Sequence, residues 1–193
     1  MVILIGGNSC VGKTLISQKL MEKYNIPYLS IDHIKMGIIR SCSECGFTAE
    51  SEDKLITEKL WSIIKGIIMT NIENNQNIII EGVYLPDNLD DLEIKYVSKI
   101  IFFKICFSEE YIKKYFNSKI IKNKSIIEYR GYDFGYTVEK YIEDNKFTKN
   151  TCENNNIKYF EIKENYKKEM NNVYKWIGKE YKRNKIGGKN VCV

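Results

Sequence analysis

Near the start of the chain, Gly7-Asn8-Ser9-Cys10-Val11-Gly12-Lys13-Thr14 sets two glycines, a lysine and a hydroxyl at the spacing G-x-x-x-x-G-K-[ST]. Glycines let the backbone take angles closed to other residues and approach an anion closely. The N–H groups of such a loop point inward and cradle phosphate oxygens. A helix opening at Lys13 adds the positive end of its dipole at the same place. The eight residues therefore read as the phosphate site of a nucleotide, ATP. Lys13 would bridge its β- and γ-phosphates and Thr14 would hold Mg²⁺. The flanks fit, because an apolar run, Val2–Ile5, precedes the loop and an amphipathic stretch from Lys13 to Lys23 follows it.

Two carboxylates stand where further apolar runs end. Asp32 follows Tyr28-Leu29-Ser30-Ile31, and Glu81 closes Ile78-Ile79-Ile80 with Gly82 behind it. Ligands of open α/β sheets sit beyond the carboxyl ends of the strands. Asp32 at such an end could take the proton of an attacking hydroxyl, or it could cap a helix beginning near Ile34. Glu81 could reach Mg²⁺ through water or orient an acceptor, with Gly82 leaving room beside it; alternatively it pairs with a cation and holds the strand end. Lys35 and Arg40, one to two helical turns past Asp32, could clamp an anionic acceptor or lie on a solvated helix face.

These residues need a scaffold, and the pattern supplies one. Strand-like runs at Val2–Ile5, Pro27–Ser30, Ile78–Ile80, Lys99–Phe107 and Ile157–Ile162 alternate with helical patterns. Those patterns lie at Lys13–Lys23, Ile34–Arg40, from Ser51 onward, after a capping Ser108, and at Lys167–Tyr181. On the long helix from Ser51, the residues Ile56, Leu60, Ile63, Ile64 and Ile67 mark the expected buried face. Alternation of this kind predicts an α/β fold, a three-layer sandwich around a five-stranded parallel sheet. With 193 residues, one domain over 1–181 and a flexible tail over 182–193 are expected.

Composition excludes several classes. At 44% hydrophobic and 28% charged residues the chain is ordinary globular protein. The first apolar run is too short for a signal core, and no run reaches the roughly 20 apolar residues of a membrane helix, so a cytoplasmic protein is expected. The six cysteines read as reduced thiols. Cys42 and Cys45 have CxxC spacing, but there is no second CxxC and only one histidine, His33, to complete a four-ligand zinc site. The net charge of +5 comes largely from lysines after Lys163, which alternate with Glu164, Glu169 and Glu180. That is a solvated helix face rather than a nucleic-acid surface.

Three segments, Ile5 to Thr14, Ser30-Ile31-Asp32 and Ile78-Ile79-Ile80-Glu81-Gly82-Val83, resemble the P-loop kinases of the nucleoside-monophosphate-kinase type. The resemblance is strongest to small bacterial proteins of the zeta-toxin, chloramphenicol phosphotransferase and 2-phosphoglycerate kinase kind. It covers roughly the first 85 residues. It implies a P-loop fold with a small helical lid, and Asp32 as the base for a hydroxyl acceptor. The lid would correspond to Asn117 to Tyr136, where Lys119, Lys122, Lys124 and a single Arg130 stand, and Arg130 would steady the transferring phosphoryl group. Adenylate kinases follow their acid-Gly pair with an aromatic residue, Pro and Arg; here the run is Glu81-Gly82-Val83-Tyr84-Leu85-Pro86, without the Arg. The expected activity is ATP·Mg²⁺-dependent phosphoryl transfer to a small-molecule hydroxyl. An adenylate-type nucleoside-monophosphate kinase and a nucleotide-binding regulator without turnover are the alternatives.

Overall fold

The apolar runs become strands because both their faces are covered. Ile3 and Ile5 point to one side of the sheet and Val2 and Leu4 to the other, and all four are fully buried. The computed structural model describes residues 1–124 and 135–187. It has five strands, β1 (Val2–Gly7), β2 (Tyr28–Ser30), β3 (Ile78–Glu81), β4 (Ile100–Phe107) and β5 (Lys158–Ile162). They pair in the order β2-β3-β1-β4-β5, every pair parallel.

Helices cover both faces. One layer is built on α1 (Lys13–Tyr24), α5 (Glu109–Tyr115), α6 (Val138–Asn154) and α7 (Tyr166–Gly187), which contribute Ile16, Leu20, Ile112, Tyr141, Val173 and Ile177 to one core. The other is built on α2 (Ile31–Ser41), α3 (Asp53–Glu73) and the short α4 (Ile94–Val97). On α3 the buried stripe is Ile56, Leu60, Ile64, Ile68 and Ile72, one residue per turn. Ile63, expected on that stripe, is 42% exposed. Ser108 caps α5 as expected, its Oγ accepting from the Tyr111 N–H at 3.2 Å. A π-type turn, Phe116–Ile121, continues α5.

Several elements depart from the sequence reading. β1 runs through Gly7, because its pairing with β4 continues to Gly7↔Ile105. α2 starts at Ile31, so Ser30 occupies the N-cap position and Asp32 lies inside the first turn, which removes the capping role considered for Asp32. The last helix continues past Tyr181 to Gly187, into the stretch expected as tail. α6 was not anticipated at all, since polar residues share its inner face. Asn145 is 1% exposed there, its Oδ1 accepting from the Phe107 N–H at 2.8 Å and its Nδ2 donating to the Tyr141 carbonyl at 2.7 Å.

Candidate active site

The segment from Gly7 to Thr14 connects the end of β1 to the start of α1 at the carboxyl edge of the sheet. Gly7 has φ 124°, and a Cβ there would lie 2.1 Å from the Ile105 carbonyl oxygen of β4. Gly12 has φ 97° and is the N-cap position of α1; no side chain caps that helix end. Helix α1 therefore opens with its first N–H groups directed at the loop, the arrangement that holds an anion. Cys10, between the glycines, also has a left-handed φ of 64°. Lys13 is 7% exposed, and its ammonium donates to the Asn8 carbonyl at 2.8 Å, across the mouth of the loop.

Thr14 and Glu81 meet beside the loop. Thr14 Oγ1 donates to Glu81 Oε1 at 3.1 Å, and Glu81 is 2% exposed. The register pairs Glu81 with both Ile5 and Ser30, which fixes the carboxylate on the α1 face of the sheet. Gly82 is buried, and a Cβ on it would lie 2.8 Å from Cβ of Ile31, so the space it leaves is filled by the first residue of α2.

Asp32 lines the same cavity as Ser9, Cys10, Lys13, Thr14 and Glu81. Its carboxylate lies 3.4 Å from the Lys35 ammonium. Lys35 is 8% exposed and donates to the Tyr84 hydroxyl at 2.8 Å. Burial pulls the Lys35 pKa down, but the hydrogen bond to Tyr84 and the carboxylate of Asp32 outweigh it, and the net shift is upward. Burial also raises the Tyr84 pKa, so at neutral pH an ammonium faces a neutral phenol. Lys35 is thus held by two groups of its own chain. Arg40 is exposed in the last turn of α2 and does not line the cavity. Arg130, with Gly131 and Phe134, lies outside the described residues; of the expected lid lysines, Lys119 and Lys124 line the cavity and Lys122 is exposed.

The cavity has a volume of about 500 Å³, the size of a small-molecule site. Away from the loop its wall is aromatic, made by Phe107, Tyr111, Tyr115 and Tyr166. Phe107 and Tyr111 stack with centroids 4.8 Å apart, and Tyr111 and Tyr115 follow at 4.9 Å. The sequence reading missed this wall. Its signal was present: positions 107, 111 and 115 share the four-residue spacing of one helix face, starting at a strand end. Burial also raises the Tyr166 pKa. The Tyr166 hydroxyl donates to the Val11 carbonyl at 3.2 Å, while a Cβ on Gly12 would lie 1.9 Å from it, so glycine there serves both the turn and this tyrosine.

Cys42 is exposed and the Cys45 thiol donates to the Phe47 carbonyl at 3.1 Å. Among the described residues no helix is long and apolar enough to cross a membrane.

No family model and no curated protein matches this chain. Solved structures do. A provisionally assigned kinase from Chloroflexus aurantiacus aligns with a TM-score of 0.50 and 13% identity over 92% of this chain and 96% of its own. A shikimate kinase from Bacteroides thetaiotaomicron aligns with a TM-score of 0.50 and 12% identity over 92% of this chain and 98% of its own. At such identities the likeness concerns the fold alone, an α/β arrangement that in this chain is a five-stranded parallel sheet between helices.

Proposed function

We propose that this protein is an ATP·Mg²⁺-dependent phosphotransferase that moves the γ-phosphoryl group to a hydroxyl of a small molecule. The observation that carries the reading is the convergence on one cavity of the loop with its lysine, Lys13, the Thr14–Glu81 oxygen pair and Asp32. Both Thr14 and Glu81 offer oxygen donors, the hard ligands that suit Mg²⁺. When bound, the cation would neutralise charge between the β- and γ-phosphates. The loop's inward N–H groups and Lys13 bind the triphosphate. In this role Lys13 leaves the Asn8 carbonyl for a phosphate oxygen. Asp32 orients the acceptor hydroxyl and takes its proton as the phosphoryl group arrives.

The pairing of Lys35 with Asp32 and Tyr84 supports a hydroxyl over a phosphate acceptor, because it leaves that cation engaged within the chain. That one neighbouring structure is a shikimate kinase and the other a provisionally assigned kinase agrees with the reaction class, and the zeta-toxin-type resemblance of the three motif segments agrees with the acceptor class. An expectation kept from the sequence is that Arg130 steadies the transferring group and that the protein works in the cytoplasm.

The test is ATP consumption with labelled γ-phosphate over nucleosides, nucleotides, sugars, glycerates and aminoglycosides, run with the native protein and Lys13→Ala. Transfer to a hydroxyl compound that is lost in Lys13→Ala supports the reading. ATP binding without turnover on any acceptor favours a regulator, and transfer confined to nucleoside monophosphates favours the adenylate-type enzyme. A charge-assisted hydrogen bond to phosphate predicts an affinity loss of about 10- to 100-fold in Lys13→Ala with the fold intact.

A further inference from the structure

A phosphate loop works only if its peptide planes are set with N–H inward and C=O outward, because the two groups of one trans peptide point in opposite directions. Every outward carbonyl then needs a partner or the plane is free to turn. In this chain the partners are distinct. The Val11 carbonyl takes Tyr166, and the Asn8 carbonyl takes Lys13 until, in the proposed function, that ammonium moves to phosphate. The Ser9 carbonyl takes the Tyr141 hydroxyl of α6 at 2.5 Å, across 132 residues of sequence. About two turns further along the same helix, Thr148 Oγ1 donates to Asn8 Oδ1 at 2.8 Å.

We infer that Tyr141 is a positioning residue of the phosphate loop, with Thr148 as its second anchor: helix α6 holds the Ser9–Cys10 peptide so that the Cys10 N–H faces the phosphates. That peptide is the one with most reason to turn, since Cys10 sits in the left-handed region, which is unfavourable for a side chain other than glycine. Tyr141 is 2% exposed and does not line the cavity, so it acts through the loop and not on the ligand. Burial raises its pKa well above the ordinary tyrosine value, which keeps the hydroxyl a donor. Its ring packs against Phe116 at 5.7 Å and Tyr136 at 5.5 Å, contacts that a phenylalanine keeps.

This inference rests on the phosphate-loop reading, and the test separates the two. Calorimetric titrations of the native protein, Tyr141→Phe and Thr148→Val with ATP and with inorganic tripolyphosphate, plus melting temperatures, give the readouts. Binding of both ligands by the native protein, with about five- to tenfold weaker binding of both in Tyr141→Phe and a nearly unchanged melting temperature, is the expected result; the factor is the equivalent of one neutral hydrogen bond. Thr148→Val keeps the buried aromatic packing and should show a smaller loss in the same direction. Equal affinities in native protein and Tyr141→Phe, or a loss for ATP without one for tripolyphosphate, overturn the inference while leaving the phosphate loop in place. A native protein that binds neither ligand overturns both.

Discussion

Thr14 Oγ1 donates to Glu81 Oε1 across 3.1 Å, joining the first turn of α1 to the end of β3. The pair is held from both sides, by the helix start that follows Gly12 and by the parallel register Ile5↔Glu81. Under the proposed function, two oxygens fixed in this way next to the Gly7–Thr14 loop predict a shared dependence on Mg²⁺. Thr14→Val and Glu81→Gln should each raise the Mg²⁺ concentration needed for nucleotide binding by about 10- to 100-fold, the range for losing a group that holds or orients a metal's ligands. Titrating Mg²⁺ at fixed ATP measures it. Unchanged Mg²⁺ dependence in both variants would remove the pair from the metal site and leave it a strand-end contact.

Asp32 gives a second, independent prediction. Because Ser30 and not Asp32 occupies the N-cap position of α2, Asp32→Asn removes charge without removing a cap. The stability cost should be about 0.3–1 kcal/mol for an acid in a first helical turn, together with the loss of its ion pair with Lys35. Turnover should fall by about 10²–10⁴-fold if the carboxylate serves as base. Near-normal turnover with normal stability would dismiss the base and move the adenylate-type reading, whose acceptor needs none, to the front.

What could be read in advance divides along physical lines. The loop and the five strands were legible because a fixed spacing of glycines and lysine, and short apolar runs between helical patterns, are local signals. The Tyr84 partner of Lys35 was not, since it lies 49 residues away and only the packing of α2 against the segment after β3 brings the two within 2.8 Å. Helix α6 was invisible for a related reason. Its inner face uses Tyr141, Asn145 and Thr151 instead of an aliphatic stripe, and its contacts with Asn8 and Ser9 span 132 to 140 residues. Asp32 was placed at the right end of the right strand, but its helix position depended on where α2 begins, and Gly82 allowed that start to move up against β3.

The Lys35–Tyr84 bond predicts an outcome for stability. Lys35 has an ammonium that is nearly buried, with the phenol oxygen at 2.8 Å and the Asp32 carboxylate at 3.4 Å. Tyr84→Phe keeps the ring under the ammonium, at 4.8 Å from its centroid, and takes away only the acceptor. A buried donor left short of a partner costs about 1–3 kcal/mol. Chemical denaturation of the variant should show a loss in that range, and a variant as stable as the native protein would mean that Asp32 alone satisfies the cation.

Glu109 predicts how the fold responds to acid. It is the first residue of α5, and its two oxygens meet the ammonium groups of Lys113 at 2.6 Å and of Lys146, on α6, at 2.5 Å. The hydrogen bonds to Lys113 and Lys146 lower its pKa from 4.5 to about 2. A carboxylate with a depressed folded pKa contributes stability that is present above its ordinary pKa. That contribution is lost as the pH falls through the folded value. The gap in melting temperature between native protein and Glu109→Gln should therefore be constant near neutral pH and close between pH 4.5 and about 2. The group is at the surface, so the gap should be small and should shrink in high salt. Lys146→Gln should show the same acid-dependent closure, because it removes the tie to α6 and leaves the Lys113 contact within α5. Melting curves of the three proteins from neutral pH to about 2, at low and high salt, decide it. Curves for native protein and Glu109→Gln that superimpose over the whole range would show that this bridge contributes nothing to the packing of α5 on α6.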